Sequence, residues 1–247
     1  ADFDVLAKAL ETFEKVKDEL DLEIPGVHLE GPYFALEMSG AQNPKFIHEP
    51  RASEYVPLIE KFGHLIKRWS YAPELDENSE FVRYLTAHNI TPAIAHSAAE
   101  YCHVKEAFEN GNRLVTHLYS CTSTITRHGG FRHLGIIESA YLFDDMYVEA
   151  IADGCHLPPE LLKLIIKLKG TDRVCLITDG IRPAGMTEKD FAGGSSGGMD
   201  FVIEDGVAKL LDRSSFAGSV AVGDTMVAAL CGRYKIPLET VSHMLSA

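Results

Sequence analysis

The chain of 247 residues is 46% hydrophobic, with Gly and Pro in ordinary amounts, which suits one large α/β unit with a full core. Its 36 acidic and 23 basic residues give a formal charge of −13, and such a surface argues against general binding to nucleic acid or anionic membranes. A small anionic substrate is not excluded, because a local Arg or a helix N-terminus can hold a phosphate on an acidic protein.

The opening stretch, "ADFDVLAKALETFEKVKDEL", has the pattern of an amphipathic helix and lacks an initiator Met, so the expectation is a piece of a longer chain. A turn at 24–26 leads into a short apolar strand over 26–29, which runs straight into Glu30. Helical patterns at 53–62, 79–88, 98–110 and 159–169 then alternate with candidate strands at 65–71, 91–95, 113–117, 147–151 and 173–178. The helix at 159–169 ends in Lys-Leu-Lys-Gly, a basic last turn with a Gly stop. Strand-then-helix units in series, with no hairpin pairs between them, predict a parallel sheet.

No Gly-x-Gly-x-x-Gly turn follows the early strands, which speaks against a dinucleotide-binding sheet. A polar residue does recur after the strands: Glu30, His96, His117, Asp153 with His156, and Asp179. In a (β/α)8 barrel all strand C-termini meet at one mouth, so these residues would converge, and a TIM-type barrel is expected. After Asp179 the pattern changes. A Gly/Ser-rich turn precedes "FVIEDGVAKLL", whose Asp-Gly between apolar runs predicts a β-hairpin, read as an insertion at about 191–215. Helices over about 223–234 and 237–246 close the chain.

No run approaches a membrane-spanning helix, and the opening residues lack the pattern of a secretory leader. Five scattered cysteines without a Cys-x-x-Cys pair indicate a reducing compartment, hence a cytoplasmic protein, rather than a disulfide or structural zinc framework.

Imidazoles and a carboxylate at separate strand ends are the donors a divalent metal needs, which makes Glu30, His96 and His117 a candidate ligand set. Each alone has an ordinary reading, as a solvated rim Glu or a His hydrogen-bonded to backbone. Asp179 in "CLITDG" either caps the next segment or serves as general acid/base beside an activated water. His156 in "IADGCHLPPE" is an orienting donor or a plain loop residue.

The motifs "HLEGPYF" with "GAQNPKF", "AHSAA", "THLYS", "IADGCHLP", "LITDGIRPAG" and "FAGS", in this order, resemble N-acetylglucosamine-6-phosphate deacetylases of the amidohydrolase superfamily. The resemblance runs from about residue 24 to the C-terminus. It implies a metal, zinc first and iron or another transition metal next, held by Glu30, His96 and His117, with Asp179 as the catalytic acid/base. It also implies substrate contacts from Ala41, Gln42, Ser120, Cys121, Arg127 or His128, His156, Phe216, Ala217 and Gly218. The implied reaction is hydrolysis of the acetamide of an amino-sugar phosphate, and the implied assembly is a homodimer in which a neighbouring subunit can supply the phosphate-binding basic residue.

The departures are equally specific. The family's first strand usually ends in His-x-His, which this sequence lacks, so the expectation is a partial barrel without the first strands and without the small β-sandwich domain. A second metal should then be absent or weakly held. Ser120-Cys121 stands where the family commonly has Asn-Ala, and Gln42 where some members have His. These changes motivate two alternatives: an amidohydrolase for a different N-acyl or cyclic amide, and a non-catalytic sugar-phosphate-binding relative.

Overall fold

The computed structural model describes residues 3–19, 21–186, 189–191 and 193–246, so positions 1, 2 and 20 of the expected first helix and position 192 of the expected insertion lie outside the described residues. Helix α1 (Phe3–Val16) buries Leu10 and packs Phe3, Leu6 and Phe13 against the core around Trp69. Lys61 and His64 tie it down by bonds to Glu11 at 2.7 Å and Glu14 at 2.9 Å.

The alternation then proceeds as β1 (Val27–Glu30), α2 (Ala52–Phe62), β2 (Ile66–Tyr71), α3 (Glu80–Ala87), β3 (Thr91–Ile94), α4 (Tyr101–Glu109) and β4 (Leu114–Val115). A hairpin of β5 (Thr126–His128) and β6 (Phe131–His133) follows, then α5 (Ile136–Leu142), β7 (Tyr147–Ile151), α6 (Pro159–Lys169) and β8 (Val174–Ile177). Six of these strands form one sheet, ordered β1-β2-β3-β4-β7-β8, and every pair in it is parallel. Each crossover between neighbours carries a helix. One strand face, with Leu29, Trp69, Val148 and Val174, is apolar and buried in the cores, while alternate positions carry His28, Arg68, Ser70 and Glu149.

Three local readings are corrected. A hairpin does stand between strands of the series: Gly129 and Gly130, at φ 56° and 88°, make the two-residue turn joining β5 to β6. Its strands are exposed, so no apolar alternation announced them. Helix α5 was likewise unforeseen. Strand β4 is shorter than 113–117, because Thr116 still donates to Ile94 O at 2.9 Å while His117 turns out of the ladder at φ 32°.

Beyond β8 the chain forms β9 (Gly193–Ser196), β10 (Met199–Glu204), β11 (Val207–Leu210) and β12 (Phe216–Gly218), then α7 (Gly223–Gly232) and α8 (Leu238–Ser246). The four strands make an antiparallel sheet ordered β12-β11-β10-β9. The Asp205-Gly206 turn joins β10 to β11 as its sequence requires, with Glu204 opposite Val207.

One core lies between the sheet and α4–α8, with Ile94, Val115, Val148, Ala150, Val174 and Leu176 on the strand side. A second, rich in aromatic rings, surrounds Trp69. Trp69 stacks on Tyr33 at 5.8 Å, meets Phe81 edge-on at 5.3 Å, and donates Nε1–H to Gly31 O at 2.9 Å. That bond fixes the chain at Gly31, the residue immediately after Glu30 at the end of β1.

Candidate active site

Glu30 is the last residue of β1, while His96, His117 and Asp179 each lie two residues past the ends of β3, β4 and β8. Parallel strands bring these ends to one edge of the sheet. His96, His117 and Asp179 all adopt left-handed backbone, at φ 46°, 32° and 49°. Such conformations cost non-glycine residues on the order of 1–3 kcal/mol each and gather at functional sites. Here they break the ladder and turn three side chains into a common mouth.

Oε1 of Glu30 lies 3.0 Å from Nε2 of His96 and 3.0 Å from Nε2 of His117, and the two rings meet edge-on at 5.0 Å. Nδ1 of His96 is 2.8 Å from the carbonyl of Met38, which only accepts, so the proton sits on Nδ1. Nε2 then presents a lone pair to a carboxylate oxygen. With the ring neutral, two acceptors face each other at hydrogen-bond distance, and either a proton on Nε2 or a cation between them relieves the conflict. Burial disfavours a proton on His96, yet bonding to Cys121 and Glu30 lifts its pKa to about 10. Burial likewise opposes charge on Glu30, but bonds from His117 and His96 hold its carboxyl well below the ordinary range. Nδ1 of His117 is buried without a hydrogen-bond partner. A His-His-Glu set with one carboxylate oxygen shared by two imidazoles fits a divalent metal, and the carbonyl behind His96 is the kind of outer partner that orients a metal-bound ring.

These residues open on a cavity of about 470 Å³. Asp179 lines it, as do Ala41, Gln42, Ser120, Cys121, His156, Phe216, Ala217 and Gly218 from the sequence-predicted set. Burial and then the Glu30 charge push the Asp179 carboxyl above its usual value. Ser219 N donates to Asp179 O at 3.0 Å, which holds the 216–218 strand beside it. His156 is anchored through Nδ1 to Asp153 Oδ2 at 2.7 Å, and Asp153 also accepts from the amides of Cys155 and His156 at 2.8 and 2.9 Å. The ring of His156 meets Phe216 edge-on at 4.8 Å. Gly40 has φ 54°, and a Cβ there would come within 2.6 Å of Cys121 Sγ, so the loop passes the Cys121 wall as bare backbone.

Arg127 and His128 are not brought to this cavity. They lie on the exposed β5–β6 hairpin, where His128 Nε2 is 2.8 Å from Glu100 Oε1. Sequence reading also missed groups that support the site. Phe34, fully buried, packs its ring 4.6 Å from that of His96. Glu149, 2% exposed, is paired with Arg68, and burial pushes its carboxyl upward. Nothing in the one-dimensional pattern marks it, because Glu149 sits in the middle of the apolar strand β7.

Fold and site define a class: an α/β protein with a two-histidine, one-carboxylate cluster at the C-terminal ends of parallel strands. No protein-family model matches the chain. It is 31% identical to N-acetylglucosamine-6-phosphate deacetylase of Bacillus subtilis over 201 residues, 81% of this chain and 49% of that one. With the enzyme of the same name from Lysinibacillus sphaericus it shares 30% identity over 226 residues, 92% of this chain and 56% of the relative. The crystal structure of N-acetylglucosamine-6-phosphate deacetylase from Thermotoga maritima matches with a TM-score of 0.86 at 26% identity, over 99% of this chain and 64% of that one. The chain thus spans about half the length of the curated relatives it matches, and it belongs to the N-acetylglucosamine-6-phosphate deacetylase family.

Proposed function

We propose that this chain is the larger part of the catalytic barrel of a cytoplasmic, metal-dependent deacetylase. It hydrolyses the acetamide of N-acetylglucosamine 6-phosphate to glucosamine 6-phosphate and acetate, a step of amino-sugar breakdown. The observation that carries this reading is Glu30 Oε1 at 3.0 Å from two imidazole nitrogens, in the cavity that Asp179 also lines. The six-stranded sheet is read as an incomplete (β/α)8 barrel, because β1 and β8 each have one neighbour in it. The segment at about 191–215 is its insertion.

Glu30, His96 and His117 would hold the ion, zinc by donor type. When bound, it supplies Lewis acidity toward the acyl oxygen and a lowered pKa for water. Asp179 takes the proton of the water whose oxygen adds to the acetamide carbon. It returns that proton to the sugar nitrogen as the C–N bond breaks, releasing acetate and the free amine. The raised pKa of Asp179 suits a group that must both accept and donate. His156, its Nδ1 engaged by Asp153, offers Nε2 to the substrate in a fixed orientation. Ala41 with Gln42, Ser120 with Cys121, and 216–218 form the walls that hold the sugar. Arg127 and His128 serve the phosphate of the neighbouring subunit in a homodimer, which accounts for their position outside their own cavity.

The deciding experiment compares kinetics on N-acetylglucosamine with and without the 6-phosphate, using the complete protein that contains this chain. Strong preference for the phosphorylated sugar is expected. Equal activity on both overturns the phosphosugar reading and favours another N-acyl substrate.

A further inference from the structure

A second cluster of metal-ligating side chains lies away from the cavity, and of its members only His128 has a part in the proposed function. Glu100 precedes α4, and His128 and His133 close the ends of the β5–β6 hairpin. The strand period places Thr126, His128, Phe131 and His133 on one face of the hairpin and Arg127 with Arg132 on the other. The first face turns its imidazoles to Glu100. Oε1 is 2.8 Å from His128 Nε2, Oε2 is 3.2 Å from His133 Nδ1, and the rings stand edge-on at 4.6 Å. One donor atom from each of the three residues lies within 4.8 Å of the others.

The backbone sets this spacing independently of the side chains. Tyr101 N donates to Leu134 O at 2.9 Å, and Glu100 bridges Gly135, so the segment before α4 runs beside the segment after β6. The two histidines are separated by four residues through a Gly-Gly turn, within the His-x(3–5)-His spacing of zinc sites. Tetrahedral bonds of about 2.0–2.1 Å require donor atoms roughly 3.3 Å apart. The two observed separations, 2.8 and 3.2 Å, are close to that edge. All three side chains remain partly accessible, which leaves the ion a path of entry and room for a water as fourth ligand.

We infer that Glu100, His128 and His133 form a second, surface site for a divalent transition ion such as Zn(II), which clasps the β5–β6 hairpin to the start of α4. Occupied, it holds His128 on the clasp face and leaves Arg127, on the other face, as the hairpin's anion contact. The competing account is a plain ion-pair clasp between Glu100 and protonated histidines, which takes up no metal.

The test measures bound zinc by elemental analysis after equilibrium dialysis, for wild type, His133→Ala, Glu100→Gln, and a Glu30→Gln, His117→Ala double variant. Two equivalents are expected in wild type and one in each variant class. The equivalent lost in His133→Ala and Glu100→Gln should be weakened by more than about tenfold, since even outer-shell partners are worth 10–100-fold. Zinc should also slow amide exchange at 126–133 in wild type and in the double variant, but not in His133→Ala. Unchanged stoichiometry and protection in both His133→Ala and Glu100→Gln overturns the site, as does a double variant that binds none. A wild type with one equivalent that His133→Ala removes supports this site and counts against the cavity site instead, so the two readings fail separately.

Discussion

Asp179 is a carboxylate that burial and a neighbouring charge keep hard to ionise, in a backbone conformation that non-glycine residues avoid. Asp179→Asn keeps the shape but can neither take nor return a proton, so kcat should fall about 10²–10⁴-fold while metal content is unchanged. Turnover near the wild-type rate would remove Asp179 from the mechanism. His117→Ala deletes one of the two imidazoles on Glu30 Oε1, and elemental analysis should show the cavity ion lost and the rise in thermal stability with added zinc reduced. At Glu74 a different balance applies. It accepts from the Ser97 hydroxyl and the Ala98 amide, both at 2.6 Å, yet burial raises its pKa above the ordinary 4.5. The folded chain therefore binds this proton more tightly than the unfolded chain. Its contribution is fully present below the unfolded pKa and is lost as pH rises through the folded value. Urea melts from about pH 4 to pH 7 should show Glu74→Gln gaining on wild type as pH rises, and a pH-independent difference would reject this account.

At the scale of elements, the site depends on how β1 is held. Trp69 on β2 is fully buried, stacks on Tyr33 and bonds Gly31, one residue beyond Glu30. Trp69→Phe leaves a void and an unpaired carbonyl, which together should cost about 1–3 kcal/mol in denaturant melts and loosen the ion at Glu30. A loss of stability without weaker metal binding would show that β1 is positioned by other contacts. Elements with strong periodicity were legible in the sequence: α6 and β7 stand where the pattern put them, because their apolar faces meet the core directly. The β5–β6 hairpin was not, because exposed strands need no apolar alternation and its Gly-Gly turn alone has many meanings.

For the whole molecule, a charge of −13 repels a sugar phosphate at long range, so affinity must come from close donors. If the hairpin of one subunit serves the cavity of another, two differently damaged proteins should rescue each other. Asp179→Asn mixed with an Arg127→Ala, His128→Ala double variant should recover roughly a quarter of wild-type activity, because half the dimers are mixed and each has one intact cavity. Activity that never exceeds the sum of the separate variants would place the phosphate contact within one chain.

The sequence by itself determined the strand–helix alternation, the parallel sheet and the residues at the strand ends, because short apolar runs and the polar residue that turns out of the ladder leave local marks. Glu30, His96, His117 and Asp179 were readable for that reason: each follows an apolar run that a polar residue terminates. Only the tertiary structure decided which side chains meet. The 3.0 Å approaches to Glu30 join residues 66 and 87 positions apart, and no local pattern carries such distances. The same holds for Glu149 against Arg68 and for Glu100 against the hairpin histidines. Those pairs are set by strand order and by two backbone segments running side by side, which are properties of the packed chain.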